Sequence, residues 1–391
     1  MNISRLTSSI SILLLFACVD QLQYPIGSPE NLPISVDGHI TNRPGPYQIT
    51  INKSFDIQSA KDLRIPVSAQ HVNLIDELGY NEELVELRAG IYQTSLTGIK
   101  GRIGGVYTLR IEFFDGKIYE SIPDTLLPPG KIDSLYHSFN LDHDLEGNER
   151  YGFDLMVNAH ENFRSGGYYM WKMVGTFKSI TMPELMNTGK SQCYPIDDVS
   201  QKCNFLPLCT GLRNTQPRYI IPVYPVHFKR IAPCDCCTCW YHIFNNAPVL
   251  SDDLFNASGN YRGVSIYRVP LNEWIFMFKI HVQVSQLTLT KNAFDFFKRI
   301  QDQKLAIGSL FQPITGKIPN TFIQVAGTPA PIVGIFYAAG VSTKIKYITP
   351  AEVPYPVPVP KVNFSEPGIG AISCLELFPN ATNIKPDFWE D

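Results

Sequence analysis

Once its first residues are passed, this chain has no long uninterrupted apolar run. The best stretch, 274–284, is broken by Lys279 and His281, so no helix of the roughly 20 apolar residues needed to cross a bilayer is expected. Charge is also scarce. Only 18% of the 391 residues are charged, with 33 Lys and Arg against 36 Asp and Glu, and no basic tract occurs. That leaves no electrostatic footprint for nucleic acid, and no such partner is expected. The short phrases of catalysis are missing too. The nearest approach to a nucleophile elbow, Gly340-Val341-Ser342-Thr343-Lys344, lacks the second glycine. His160-Glu161 begins like a zincin helix without a second histidine at the needed spacing. Neither a phosphate loop nor a dinucleotide fingerprint is present, and the eight histidines are scattered singly. The expectation is a protein that is not an enzyme and carries neither cofactor nor metal.

What is there begins with a leader. Arg5 precedes the apolar segment 10–17, which ends in Leu15-Phe16-Ala17-Cys18 and is followed by polar Asp20-Gln21. The run is too short to span a membrane and stops abruptly at the cysteine, which reads as a targeting segment. An apolar residue at −3, a small one at −1 and then cysteine is a lipobox pattern. The small Ala17 lets a signal peptidase close on the bond, and the Cys18 sulfur takes a diacylglyceryl thioether. An ordinary signal peptide with a chance cysteine is the alternative. Residues 1–17 are thus expected to be removed, and 18–32 to form a tether. Each buried acyl methylene adds about 0.8 kcal/mol of membrane affinity, so several chains hold firmly.

Frequent Pro and Gly punctuate short runs of Val, Ile, Tyr and Phe, as expected of a mainly β protein. Residues 34–40 and 47–51 alternate around Asn42-Arg43-Pro44-Gly45-Pro46 and predict a hairpin with one buried face. Further strands are expected at 71–76, 90–95, 106–113 and 117–121, the last two joined through Asp115-Gly116. Together they suggest an N-terminal Ig-like β-sandwich over 33–122. Residues 123–131, with Pro123, Pro128 and Pro129, read as a stiff linker. A larger β-rich domain over 132–391 should follow, with strands near 134–140, 151–159, 168–176, 264–268, 274–289, 322–325, 332–338 and 344–348. One short helix is expected after Thr290, which can cap it, with Ala293, Phe296, Phe297 and Ile300 as its buried stripe. The prolines at 350, 354, 356, 358 and 360 then impose an extended segment unable to join the middle of a sheet.

Besides Cys18 there are eight cysteines: Cys193, Cys203, Cys209, Cys234, Cys236, Cys237, Cys239 and Cys374. An even number in an exported chain argues for disulfides, whose pairing the sequence does not give. Seven of the eight crowd into an insert at 193–239 that has little core of its own, where cross-links would compensate. Cys374 is expected to staple the C-terminal segment back to it. A zinc site is the alternative reading of the two overlapping Cys-x-x-Cys pairs in Cys234-Asp235-Cys236-Cys237-Thr238-Cys239. Thiolates would have to stay reduced in an oxidising compartment, which favours disulfides. The acidic stretch 142–149 starts like a calcium loop, but Phe153 stands where the bidentate glutamate belongs, so a solvated hairpin loop is expected. Tyr168, Tyr169, Trp171, Trp240 and Tyr241 fall in strand-like runs and are read as core.

The phrases His281-Val282-Gln283-Val284-Ser285-Gln286-Leu287, Ser309-Leu310-Phe311-Gln312-Pro313-Ile314-Thr315-Gly316 and Val333-Gly334-Ile335-Phe336-Tyr337-Ala338-Ala339-Gly340 carry a resemblance. With the lipobox and the Gly-x-Tyr phrases at Gly90 and Gly105, the chain resembles the domain of unknown function 4249 family, lipoproteins abundant in Bacteroidota. Gly340 stands where that family usually has a serine, and the insert is unusually rich in cysteine. The resemblance implies a cell-surface, outer-membrane-anchored lipoprotein that serves as a binding or accessory subunit beside a TonB-dependent receptor in nutrient uptake. An extracellular hydrolase with an unrecognised site and a structural or adhesion lipoprotein are the other readings. No catalytic residues come with the resemblance.

Overall fold

The computed structural model describes residues 33–53, 65–144, 146–160, 168–182, 208–214, 228–245, 247–251, 259–306, 320–363, 373–378 and 380–390. Ten strands come first: β1 (Ile34–Thr41), β2 (Gln48–Lys53), β3 (Ile65–Pro66), β4 (His71–Asp76), β5 (Asn81–Glu83), β6 (Val85–Arg88), β7 (Ile91–Gln93), β8 (Val106–Glu112), β9 (Ile118–Ser121) and β10 (Asp124–Thr125). The long strands β11 (Lys131–His143), β12 (Glu149–His160) and β13 (Tyr168–Ile180) follow. Then come β14 (Leu212–Asn214), β15 (Phe228–Arg230), β16 (Thr238–Phe244), β17 (Val249–Leu250), β18 (Asn260–Pro270) and β19 (Ile280–Leu289). Helix α1 (Lys291–Ala306), β20 (Phe322–Ala326), β21 (Ile332–Ile348) and a four-residue helix α2 (Cys374–Leu377) complete the order.

Alternation explains the first sandwich. In β8 the side chains of Tyr107, Leu109 and Ile111 are buried and their neighbours half-buried, as a period of two on a one-sided sheet requires. The same holds for Val36 and Ile40 in β1, Ile49 and Ile51 in β2, and Val72 and Leu74 in β4. These side chains close one core between two sheets. One of the two runs β20-β9-β8-β4-β5, with β10 on β8. The other is part of a ten-stranded sheet ordered β16-β13-β19-β21-β1-β2-β7-β6, with β3 on β2 and β17 on β13. At its far end this large sheet packs against the three-stranded sheet β11-β12-β18 around a second core that includes Phe153, Leu155, Val157, Trp171 and Phe276.

Strand β21 joins the two halves. Residues 332–339 pair in parallel with β1, and 340–348 pair antiparallel with β19. The first sandwich is therefore not complete within 33–122, because Phe322, Ile332, Phe336 and Ala338 belong to its core. The two strands expected at 332–338 and 344–348 are one. At its midpoint Gly340 lies against the backbone of 127–129: a Cβ there would sit 2.7 Å from Pro129 N. The segment 123–131, expected as a linker, contributes β10, which pairs with β8 through Asp124↔Tyr107. Gly130 N donates to Thr288 Oγ1 at 2.9 Å, which ties the end of this segment to β19. The expected strand over 274–289 begins only at Ile280. Before it, Asn272 Oδ1 accepts from Trp274 N and Ile275 N and starts a 3-10 turn at Ile275–Met277.

Candidate functional site

The second half of the large sheet has one face against the core and one turned outward. Parity fixes which side chains point out: Met170, Lys172, Val174, Thr176 and Lys178 from β13, and His281, Gln283, Ser285, Leu287 and Leu289 from β19. Val341, Thr343, Ile345 and Tyr347 join them from β21, and Trp240, His242 and Phe244 from β16. Two covers divide this outer face. Helix α1 takes one end, where Ala293, Phe294 and Phe296 pack on Met170, Leu287, Leu289, Ile335 and Tyr337. Thr290 starts the helix as its spacing promised, with Ala293 N donating to its hydroxyl. The segment 380–390 takes the other end, with Trp389 buried on Trp240 and Phe388 stacked on His281.

Between the covers runs a row of cross-strand partners, Phe244↔Val174, Val174↔Gln283 and Gln283↔Ile345. Phe244 and Ile345 at its ends are 57% and 53% exposed. Beside it stand Lys172, Ser285 and Thr343, with Ser285 and Thr343 hydroxyls 3.1 Å apart. Val174 and Gln283, between Phe244 and Ile345, are half-buried, so the strip is apolar except for Gln283 and most exposed at its two ends. A continuous apolar patch on a sheet face marks a contact surface, and Phe244 and Ile345 are the exposed apolar ends of this strip. No motif search could find it, because its members come from four strands spread over more than 170 residues.

At the margin under α1 lies a group of titratable side chains. Lys172 Nζ donates to Tyr337 Oη at 3.1 Å and lies over the Phe297 and Tyr337 rings. His39, from β1, stacks on Tyr337 with ring centroids 5.2 Å apart. Burial, reinforced by the Lys172 charge, lowers the His39 pKa to about 4, so the ring is neutral at ordinary pH. Burial opposes the charge on Lys172, but Tyr337 and Asp37 outweigh it and hold its pKa above the usual lysine value. Burial raises the pKa of Tyr337. A neutral imidazole, a charged amine and a phenol can bind an anion or orient a polar group. The arrangement has no nucleophile beside an activating base.

Asp124 forms the other notable polar node. Its oxygens accept from Thr290 Oγ1 at 2.6 Å and from Ala338 N at 2.8 Å, so one carboxylate ties β10 to the start of α1 and to β21. Burial raises its pKa. A cavity of about 20 Å³ lies beside it, lined by Ile122, Asn292, Thr321 and Phe336 among others. That is room for one water and not for a substrate.

The cysteines are placed as follows. Cys209 bonds Cys236, Cys234 bonds Cys237, and Cys239 bonds Cys374. The two overlapping Cys-x-x-Cys phrases are thereby consumed, and Cys374 staples the segment after 373 to the edge strand β16. Cys18, Cys193 and Cys203 lie outside the described residues, and among the described residues no group of three or more metal-ligating side chains gathers. In the 142–149 loop, Asp144 accepts from the side chain and backbone of Asn148 and pairs with Arg150, which hold its pKa down to about 2. Its oxygens are engaged in the turn, as a solvated hairpin loop requires. His160 pairs with Asp133, and the Ser342 hydroxyl is buried with no hydrogen-bond partner. Tyr169, Trp171 and Trp240 are buried as expected, while Tyr168 and Tyr241 are only partly so.

A family model described as "Domain of unknown function (DUF4249)" matches residues 20–345. The match spans both sandwiches, the insert and the outer strip, and stops before the segment that covers His281. No curated protein matches the chain.

Proposed function

The chain belongs to the domain of unknown function 4249 family, and from that premise we propose that it is a lipid-anchored binding or accessory subunit of an outer-membrane nutrient-uptake system. The observation that carries the reading is the strip of Phe244, Val174, Gln283 and Ile345, with its exposed apolar ends, on a ten-stranded sheet. A flat, partly apolar strip of this kind suits a broad macromolecular contact, whereas small-molecule chemistry needs a concave pocket with converging groups. Cys18 supplies the anchor and 18–32 the tether. Fifteen residues reach at most about 50 Å when extended, enough to let the body of the protein dock beside a receptor held in the same membrane. The partner is then a TonB-dependent receptor, and the site of action is the outer membrane at the cell surface.

The test is extraction in a mild detergent, affinity purification of the chain and identification of what comes with it. A large β-barrel receptor at comparable stoichiometry is the expected result, and it should be lost in a Phe244→Glu, Ile345→Glu double variant. A clean monomer under several mild conditions, with unimpaired uptake in a deletion strain, contradicts the proposal.

A further inference from the structure

Residues 380–390 pack on the His281 end of the outer face through a single backbone bridge and two aromatic side chains. Their contact begins on the edge strand β16, where Trp240 N donates to Thr382 O at 2.8 Å and Thr382 N returns a bond to Trp240 O at 3.0 Å. Asn383 Nδ2 then donates to Asp235 O at 3.0 Å, Ile384 is left 75% exposed, and a turn closes with Trp389 N on Pro386 O. The anchoring is aromatic. Trp389 packs edge-on against Trp240, and Phe388 stacks on His281 with centroids 4.3 Å apart, its carbonyl taking the Tyr347 hydroxyl at 2.9 Å.

The receiving surface carries two lysines, and the segment brings Asp387 and Glu390 along with Lys385. Lys279 Nζ lies 4.8 Å from the Tyr347 ring centroid and 5.7 Å from that of Trp389; Lys178 Nζ lies 6.0 Å from Trp240 and 5.3 Å from Phe278. Cations over aromatic faces make a platform that attracts both rings and carboxylates. Asp387 and Glu390 flank the Phe388-Trp389 pair, and burial, with the Glu390 charge second, raises the Tyr347 pKa. One feature of the platform is not satisfied by the segment. His281 is 2% exposed, and neither of its ring nitrogens has a hydrogen-bond partner. A buried imidazole without hydrogen-bond partners weakens the packing of the segment that covers it. Only Cys239–Cys374, some distance upstream, ties the segment covalently.

We propose that this platform, built from Trp240, Lys178, Lys279, His281 and Tyr347, is a docking site for a partner peptide carrying an aromatic pair flanked by carboxylates, and that residues 382–390 occupy it in cis as a displaceable stand-in. The inference does not depend on the nutrient-uptake reading, since it concerns the other end of the outer face from the strip.

The probe is a fluorescent peptide with the sequence of residues 380–391, and the readout is anisotropy with three full-length, oxidised proteins. The unaltered chain should bind it weakly. A Phe388→Ala, Trp389→Ala variant, which frees the platform, should bind at least about tenfold more tightly, and adding Lys279→Glu should remove about tenfold of that affinity. Equal binding by the first two proteins, or binding indifferent to Lys279→Glu, overturns the proposal. Should the variants fail to fold, hydrogen exchange on the unaltered chain decides. The amides of Thr382 and Trp389 should exchange through a local opening well before those of the β13–β19 ladder. Exchange of both sets at one common slow rate would show a fixed structural element and sink the idea.

Discussion

Replacing Asp124 by alanine tests how the two sandwiches are held together. The carboxylate is 7% exposed and accepts from Thr290 Oγ1 and Ala338 N. Truncation leaves two buried donors without partners, at about 1–3 kcal/mol each, less whatever a water entering the small cavity beside them restores. A loss of roughly 2–5 kcal/mol is therefore expected for Asp124→Ala. Asp124→Asn should behave otherwise. Its oxygen can keep the Ala338 N–H, its amide can donate to the Thr290 oxygen, and no charge is buried, so a change within about 1 kcal/mol is expected. Burial raises the folded pKa of Asp124 above its unfolded value of 3.8. The native state then binds more protons than the unfolded state between those two pKa values, and this group's contribution to stability rises as pH falls through that window. The Asn variant should lack that rise. Equilibrium urea unfolding with the disulfides intact supplies the numbers. All four tryptophans lie at or beyond position 171 and so outside the first sandwich, while far-ultraviolet circular dichroism follows both. Coincident transitions are expected in the unaltered protein. An alanine variant within about 0.5 kcal/mol of the parent, or an Asn variant as damaged as the Ala one, would refute the reasoning.

Acid should destabilise the fold through its buried histidines. Burial lowers the pKa of His39 to about 4 from 6.5, and lowers those of His137, His242 and His281. Each is a depressed basic group, so its contribution is present above the unfolded pKa and is lost as pH falls below it; for His39 that window runs from 6.5 through about 4. For His39 the loss is up to about 3 kcal/mol, and His39→Phe should flatten the pH–stability profile in that window. Gly340→Ala should destabilise by about 1–3 kcal/mol, because its Cβ would meet the backbone of 127–129 and force β21 and that segment apart; thermal unfolding reads this directly. Cys239→Ser with Cys374→Ser opens a link of 135 residues and should cost about 2–5 kcal/mol, checked by the same unfolding measurement. Thiol alkylation of the denatured, unreduced protein should find none of the eight cysteines after Cys18 free; stoichiometric zinc with reactive thiols would instead favour a metal site.

Local structure was legible where one face alone is buried. Val72 and Leu74 alternate with half-buried His71 and Asn73, and the strand begins and ends where that alternation does. Thr290 followed by Ala293, Phe296 and Phe297 announced α1 for the same kind of reason. Long-range pairing was not legible. Strand β21 reads as two because Gly340, Ser342, Thr343 and Lys344 interrupt its apolar run, yet β1 and β19 take up its two halves in succession. The parallel partner of Ile34 is Ile332, nearly 300 residues away, and nothing local marks it. Asp124 sits badly in a strand by propensity, and only Thr290 and Ala338, far along the chain, make it a good choice there. The outer strip was hidden for the same reason: Phe244, Val174, Gln283 and Ile345 become neighbours only through strand register.

The anchor on which the proposed function rests is tested most directly by feeding cells a labelled fatty acid and isolating the chain from the membrane fraction. Label should appear on the unaltered protein, and Cys18→Ala should lose both the label and the membrane association. A chain that never takes up label, or a Cys18→Ala variant labelled as strongly as its parent, would contradict the account.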